Sequence, residues 1–171
     1  DAVGAGSTLV PLDITDDAGL QRMCAAIHQK FGKLDLWVHT AIHSTPLAQA
    51  DSIAKKDLSR ALTINVGATQ RLILMLAPLL RAAPNPEVFH CTDTQAGAPF
   101  FGSYGATKAA HTEMFQRWAA ECQRIGPKIT AFTPAPMATA LRARFYPGED
   151  TEKLASCAQE AKRLVSLVGQ N

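Results

Sequence analysis

The sequence predicts an α/β fold, a doubly wound parallel sheet with helices on both faces. Three observations predict it. Short apolar runs of four to six residues alternate with longer segments of helical periodicity. Each connection between successive strands contains a helix, as parallel pairing requires. The chain of 171 residues, 47% hydrophobic and 19% charged, is long enough for one domain with a real core.

The first strand is expected at Thr8-Leu9-Val10-Pro11-Leu12. Residues 1–8 ahead of it read as a loop. Gly4-Ala5-Gly6 has a phosphate-binding look, but such a turn must follow a strand and open a helix, and this one precedes a strand. Asp13-Ile14-Thr15 ends the strand. Thr15 is then the expected N-cap of a helix carrying Leu20, Met23, Cys24, Ile27 and Phe31 on one face and closed by Gly32. Leu34 to His39 forms the next strand, completing a βαβ unit and hence a sheet covered on both faces.

A helical region over about 51–83, in one or two pieces, follows, with Leu58, Ala61, Leu62, Val66, Leu72, Leu76 and Leu80 on its apolar face. Asn65, taken alone, reads as an exposed polar position in it. Pro84-Asn85-Pro86 breaks the chain before a strand at Glu87–Thr92. Beyond a loop with Gly97, Pro99 and Gly102, a helix runs from Tyr104 to Gly126. Lys128–Phe132 is the last expected strand, and 140–171 reads as helical with a break at Pro147-Gly148.

Composition excludes several function classes. The net charge is +2, from 17 basic and 15 acidic residues with no basic block, so nucleic acid is not an expected partner. The longest apolar run, Leu72 to Leu80, contains Pro78 and is too short to span a bilayer; no membrane partner is expected. No signal-peptide pattern opens the chain. Cys24, Cys91, Cys122 and Cys157 lack C-x-x-C spacing and read as reduced thiols of a cytoplasmic protein. His28, His39, His43, His90 and His111 are scattered, so no metal site is expected.

Chemistry concentrates around Tyr104-Gly105-Ala106-Thr107-Lys108. A phenol and an ammonium four residues apart share one helix face, separated by about 6 Å of rise. A free phenol, with a pKa of about 10, is a poor acid-base group at neutral pH, and a nearby cation draws that value down. Ligands of open parallel sheets sit beyond the carboxyl ends of the strands. Here those ends are Asp13, His39-Thr40-Ala41, Thr92-Asp93 and Pro134 to Thr139, with Tyr104 a short loop beyond the third.

On these motifs, in this order, the chain resembles the short-chain dehydrogenase/reductase family from about residue 8 to 150. Asp13 and Ile14 match the family's adenine-contacting stretch. His39-Thr40-Ala41-Ile42 falls where the family has Asn-Asn-Ala-Gly beside the cofactor. Asn65 matches the helix Asn, and Thr92, twelve residues before the Tyr, the catalytic Ser. Tyr104 and Lys108 match Tyr-x-x-x-Lys. Pro134, Ala135, Met137 and Thr139 match the Pro-Gly segment that meets the nicotinamide.

The resemblance implies a Rossmann-like domain binding NAD or NADP, and hydride transfer between that cofactor and a carbonyl or alcohol substrate. Tyr104 would be the proton donor and acceptor, and Lys108 would lower its pKa and bind the nicotinamide ribose. Thr92 would donate to the substrate oxygen, and Asn65 would hold a water behind Lys108. A homodimer or homotetramer through the Asn65 and Tyr104 helices is also implied.

The family's first βαβ elements and closing strand fall outside these residues. The expectation is one partial domain over 1–171, with its core at 8–139 and a substrate-loop and C-terminal helical region at 140–171. The absence of the family's glycine-rich turn from these residues and the altered Asn-Asn-Ala-Gly segment, with Ile42 for Gly, motivate the alternative, a binding or scaffold protein without turnover; Thr92 for Ser and Ala135 for Gly are further departures from the family's pattern. In the substrate-loop region Arg142, Arg144 and Tyr146 read first as a solvated amphipathic turn, with contact to an acidic or aromatic substrate as the alternative.

Overall fold

The computed structural model describes residues 6–170. Gly4 and Ala5 of the glycine pair, and most of the opening loop, lie outside the described residues. Three strands form a parallel sheet in the order of the chain: β1 (Leu36–His39), β2 (Glu87–Cys91) and β3 (Lys128–Phe132). Trp37 pairs with Val88, and Val88 with Ile129. Helix α1 (Asp17–Phe31) precedes β1. Between β1 and β2 lie α2 (Lys55–Ala61), a π-helical stretch (Leu62–Ala68) and α3 (Thr69–Arg81). Helix α4 (Gly102–Glu121) joins β2 to β3, and α5 (Ala140–Phe145) and α6 (Cys157–Val165) follow.

Both faces of the sheet are covered, as expected. On one, Trp37 and Val88 pack with Leu20 of α1, Leu72, Leu76 and Leu80 of α3, and Phe115 and Trp118 of α4. On the other, Phe89 and Phe132 pack with Leu164 of α6, flanked by Leu36 and Val38. Side chains alternate across a strand, so neighbouring apolar residues serve opposite cores. Burying each large apolar side chain favours the fold by about 1.5–3 kcal/mol.

Three expectations change. Residues 8–12 form no strand: they pair with nothing among the described residues, and Leu9 and Val10 are exposed. Apolar patterning supplies a strand's side chains, but the ladder needs a neighbouring backbone. The N-cap of α1 is Asp16, whose carboxylate accepts from Ala18 N, because Thr15 is turned back to hydrogen-bond Asp13. Gly32 closes α1 at φ 72°, as expected. Finally, Lys55–Arg81 runs as one helical element of 27 residues, long and apolar enough to cross a bilayer by length and composition. Here its apolar face, at Leu72, Leu76 and Leu80, packs on the sheet.

Candidate functional site

The carboxyl end of β2 positions the site. Just beyond it the chain turns through Thr94–Gly97 and enters α4, which returns Tyr104 and Lys108 past the strand they follow. Tyr104 is buried between Phe101 and Phe145, with ring centroids 6.2 and 5.0 Å away. Its hydroxyl donates to Asp93 Oδ2 at 2.8 Å. Asp93 also caps the turn, its Oδ1 accepting from Gln95 N at 2.8 Å.

Lys108 is buried one helical turn further on and donates to the Cys91 carbonyl. Among the described residues this is its one hydrogen bond, leaving two N–H donors of the ammonium for another group. Burial lowers its pKa, against the pull of Cys91 and Asp93. The expected depression of the Tyr104 pKa is not found. Burial first, then the hydrogen bond and negative charge of Asp93, raise it far above the free phenol value. Burial, and after it the carboxylate at the hydroxyl, keeps the phenol protonated.

Thr92 is likewise not where the resemblance put it. Its Oγ1 lies 2.6 Å from Thr133 Oγ1 and faces β3, not Tyr104. Successive side chains of an extended segment point to opposite sides, so only one of Thr92 and Asp93 can face the phenol. Asp93 does. That alternation, carried two residues past β2, shows in the sequence that one of the two must face away from the phenol, but not which one.

Asn65 is 1% exposed, within the π-helical stretch. Its Oδ1 accepts from His43 N, while Nδ2 donates to His43 O and to Thr107 Oγ1. Both amide N–H groups are therefore engaged by protein, and the expected water-holding role has no free donor. The residue instead fixes the loop after β1 against the Tyr104–Lys108 turn.

The expected cofactor contacts divide. His39 points into the core, 3% exposed, 3.3 Å from Thr69 Oγ1 and near Trp37, His111 and Phe115. Strand alternation turns it inward and leaves Thr40 exposed at the strand end, with Ala41 half-buried. Asp13 is exposed, its carboxyl pKa lowered by the hydrogen bonds of Thr15. Ile14 packs on the α1 side of the core. Pro134, Ala135 and Met137 lie half-buried past β3, with Ala135 N held by Glu160 Oε2 at 3.0 Å. Thr139 caps α5 through Arg142 N.

The expected solvated turn is helix α5 instead, with Arg142 half-buried and Arg144 exposed. Arg142 forms a two-pronged pair with Glu149, at 2.5 and 2.6 Å. Arg144 reaches the Ser44 carbonyl at 3.2 Å, and Tyr146 sits 3.5 Å from Gln95 Oε1. Next to them is an apolar cavity of about 630 Å³, lined by Leu47, Ala48, Pro99, Phe101 and Tyr146.

A family model described as enoyl-(acyl carrier protein) reductase matches residues 1–167. The chain belongs to the short-chain dehydrogenase/reductase family. It is 27% identical over 135 residues to a sorbitol dehydrogenase of Cereibacter sphaeroides, covering 77% of this chain and 52% of that protein. A short-chain dehydrogenase from Shigella flexneri, solved in complex with NADP, is 26% identical with a TM-score of 0.77, covering 85% of this chain and 62% of that one. One from Salmonella enterica reaches a TM-score of 0.87 at 23% identity, over 93% and 67%, which shows the shared fold. The chain thus spans about half the length of the sorbitol dehydrogenase it matches.

The short-chain dehydrogenase/reductase family binds nicotinamide dinucleotides, and the donor set here fits the nicotinamide half. Lys108, with two unassigned ammonium donors, and Tyr104, whose oxygen keeps acceptor capacity, are the groups that would hold it.

Proposed function

We propose that this chain carries the catalytic half of an NAD(P)-dependent oxidoreductase that interconverts a carbonyl and an alcohol. One observation carries the reading: a buried phenol, hydrogen-bonded at its oxygen, lies one turn from a buried lysine at the carboxyl end of the central strand. Bound nicotinamide supplies or accepts the hydride. Tyr104 moves the proton at the substrate oxygen, Lys108 binds the ribose, and Asn65 holds the floor of the site together. The NADP held by the Shigella flexneri relative supports that cofactor. The free state of Cys24, Cys91, Cys122 and Cys157 supports a reducing, cytoplasmic setting.

Carbonyl reduction and alcohol oxidation by the full-length protein, compared with Tyr104→Phe, test the reading. A loss of about a hundredfold or more supports it, and unchanged turnover removes it. A second reading, a binding protein without turnover, is favoured by the engagement of Tyr104 with Asp93 and of Lys108 with Cys91. Quenching of Trp fluorescence by NADPH, with no turnover in any substrate panel, is its signature.

A further inference from the structure

The Tyr104 hydroxyl already has a proton acceptor within the protein, Asp93 Oδ2. An alcohol being oxidised presents a hydroxyl hydrogen. Tyr104 Oη can accept that hydrogen while its own already points at Asp93 Oδ2, 2.8 Å away.

We propose that Asp93 is the terminal proton acceptor of this site, and that in alcohol oxidation the proton passes from substrate hydroxyl to Tyr104 and on to Asp93. The proposal rests on the oxidoreductase reading above. In the step, the alcohol O–H bond breaks and a new O–H bond forms at Tyr104 Oη, as the phenol's original O–H bond breaks toward Asp93 Oδ2. The carbinol C–H bond breaks with its electron pair, which leaves as hydride to oxidised NAD(P). The carbon is oxidised to a carbonyl, the cofactor is reduced, Tyr104 remains a neutral phenol and Asp93 becomes a carboxylic acid. Asp93 is half-buried beside a cavity of about 360 Å³ that Thr92, Gly97 and Lys108 also line, so its proton has a route to water.

The surroundings agree with this path. Groups near enough to interact with the carboxylate are Tyr104 and Lys108 of α4 and Arg142 of α5, with Cys91 of β2 close to the same phenol and ammonium. Gln95 N fixes the other carboxylate oxygen, so Oδ2 is held toward the phenol. No phenolate has to form, consistent with a phenol whose ionisation is opposed by burial and by Asp93 itself.

The test uses the full-length protein with NAD and NADP, and 1-phenylethanol, cyclohexanol and xylitol as probe alcohols. Asp93→Asn should lower oxidation by about a hundredfold or more. Cofactor quenching of Trp fluorescence should stay within threefold of wild type, and Asp93→Glu should recover part of the rate. Independently of turnover, the ultraviolet signal of Tyr104 phenolate, isolated by subtracting the matching Tyr104→Phe protein, should appear at lower pH in Asp93→Asn. Oxidation within threefold of wild type in Asp93→Asn, while Tyr104→Phe abolishes it, overturns the proton path alone. Full activity in Tyr104→Phe removes the oxidoreductase reading as well. An unmoved phenolate signal shows that Asp93 does not hold the phenol's proton, and overturns the path without reference to activity.

Discussion

Asn65 grips the backbone of His43 from both sides, its Oδ1 taking the N–H at 2.7 Å and its Nδ2 giving to the carbonyl at 2.9 Å. The second Nδ2 hydrogen goes to Thr107 Oγ1, so one amide joins the loop after β1 to the helix of the site. Asn65→Ala should therefore destabilise the protein by about 2–4 kcal/mol, since it strands buried polar groups. Urea unfolding measures this. A change under about 0.5 kcal/mol, the range of an ordinary surface substitution, would show that the clamp carries no weight.

Gly105 is the position in the Tyr-x-x-x-Lys turn where helix propensity and packing conflict. Alanine is intrinsically better in a helix by about 1 kcal/mol. Yet a Cβ there would come within 2.1 Å of the Ala96 carbonyl oxygen, a backbone atom that cannot swing away. Gly105→Ala should lower Tm by several degrees and loosen the Thr94–Gly97 turn that Asp93 caps. A raised Tm would mean the turn yields freely.

His39, His90 and His111 form a buried cluster around Phe115, with His39 and His90 ring centroids 5.1 and 5.7 Å from that of His111. Burial first, and Lys108 next, lower His39 and His90 to about 4 and His111 to about 2. The folded protein holds them neutral, while the unfolded chain protonates near the ordinary value of 6.5. Unfolding thus takes up protons, and stability should be complete above pH 6.5 and fall as pH drops toward 4. The loss at about pH 5 is on the order of 2 kcal/mol per histidine. Urea midpoints across that range check it, and His90→Phe should flatten the slope.

Helices α3 and α4 present a shallow apolar depression containing Ile73, Leu74, Met114 and Trp118, and Leu74 is 64% exposed. We expect a second copy of the chain to cover it in the full-length protein. Light scattering should then give an even multiple of the chain mass, and Leu74→Arg should reduce it to monomer. A monomeric wild type would remove this expectation.

Much of this arrangement was legible in the linear pattern. The short apolar runs at 34–39, 87–92 and 128–132 announced β1 to β3, because a strand buried on both faces needs continuous apolar residues. The helices followed from periodicity, and Gly32 marked the end of α1 where a left-handed residue was required. The run at 8–12 misled, because it has a strand's side chains and no described neighbour to pair with. Asn65 looked exposed in isolation because nothing local shows that the loop from β1 returns across it.

By itself the sequence determined the alternating α/β order and the Tyr104–Lys108 pair, since both rest on spacing along one chain. Only the tertiary structure decided which group meets the phenol. Thr92 and Asp93 are adjacent and both polar, and a choice between them depends on which way the end of β2 faces α4. That orientation arises from packing of β2 against β1, β3 and the helices, so no local rule ranks the two. The structure turns Asp93 to Tyr104 and Thr92 to Thr133, and with that turn the polarity of the site follows.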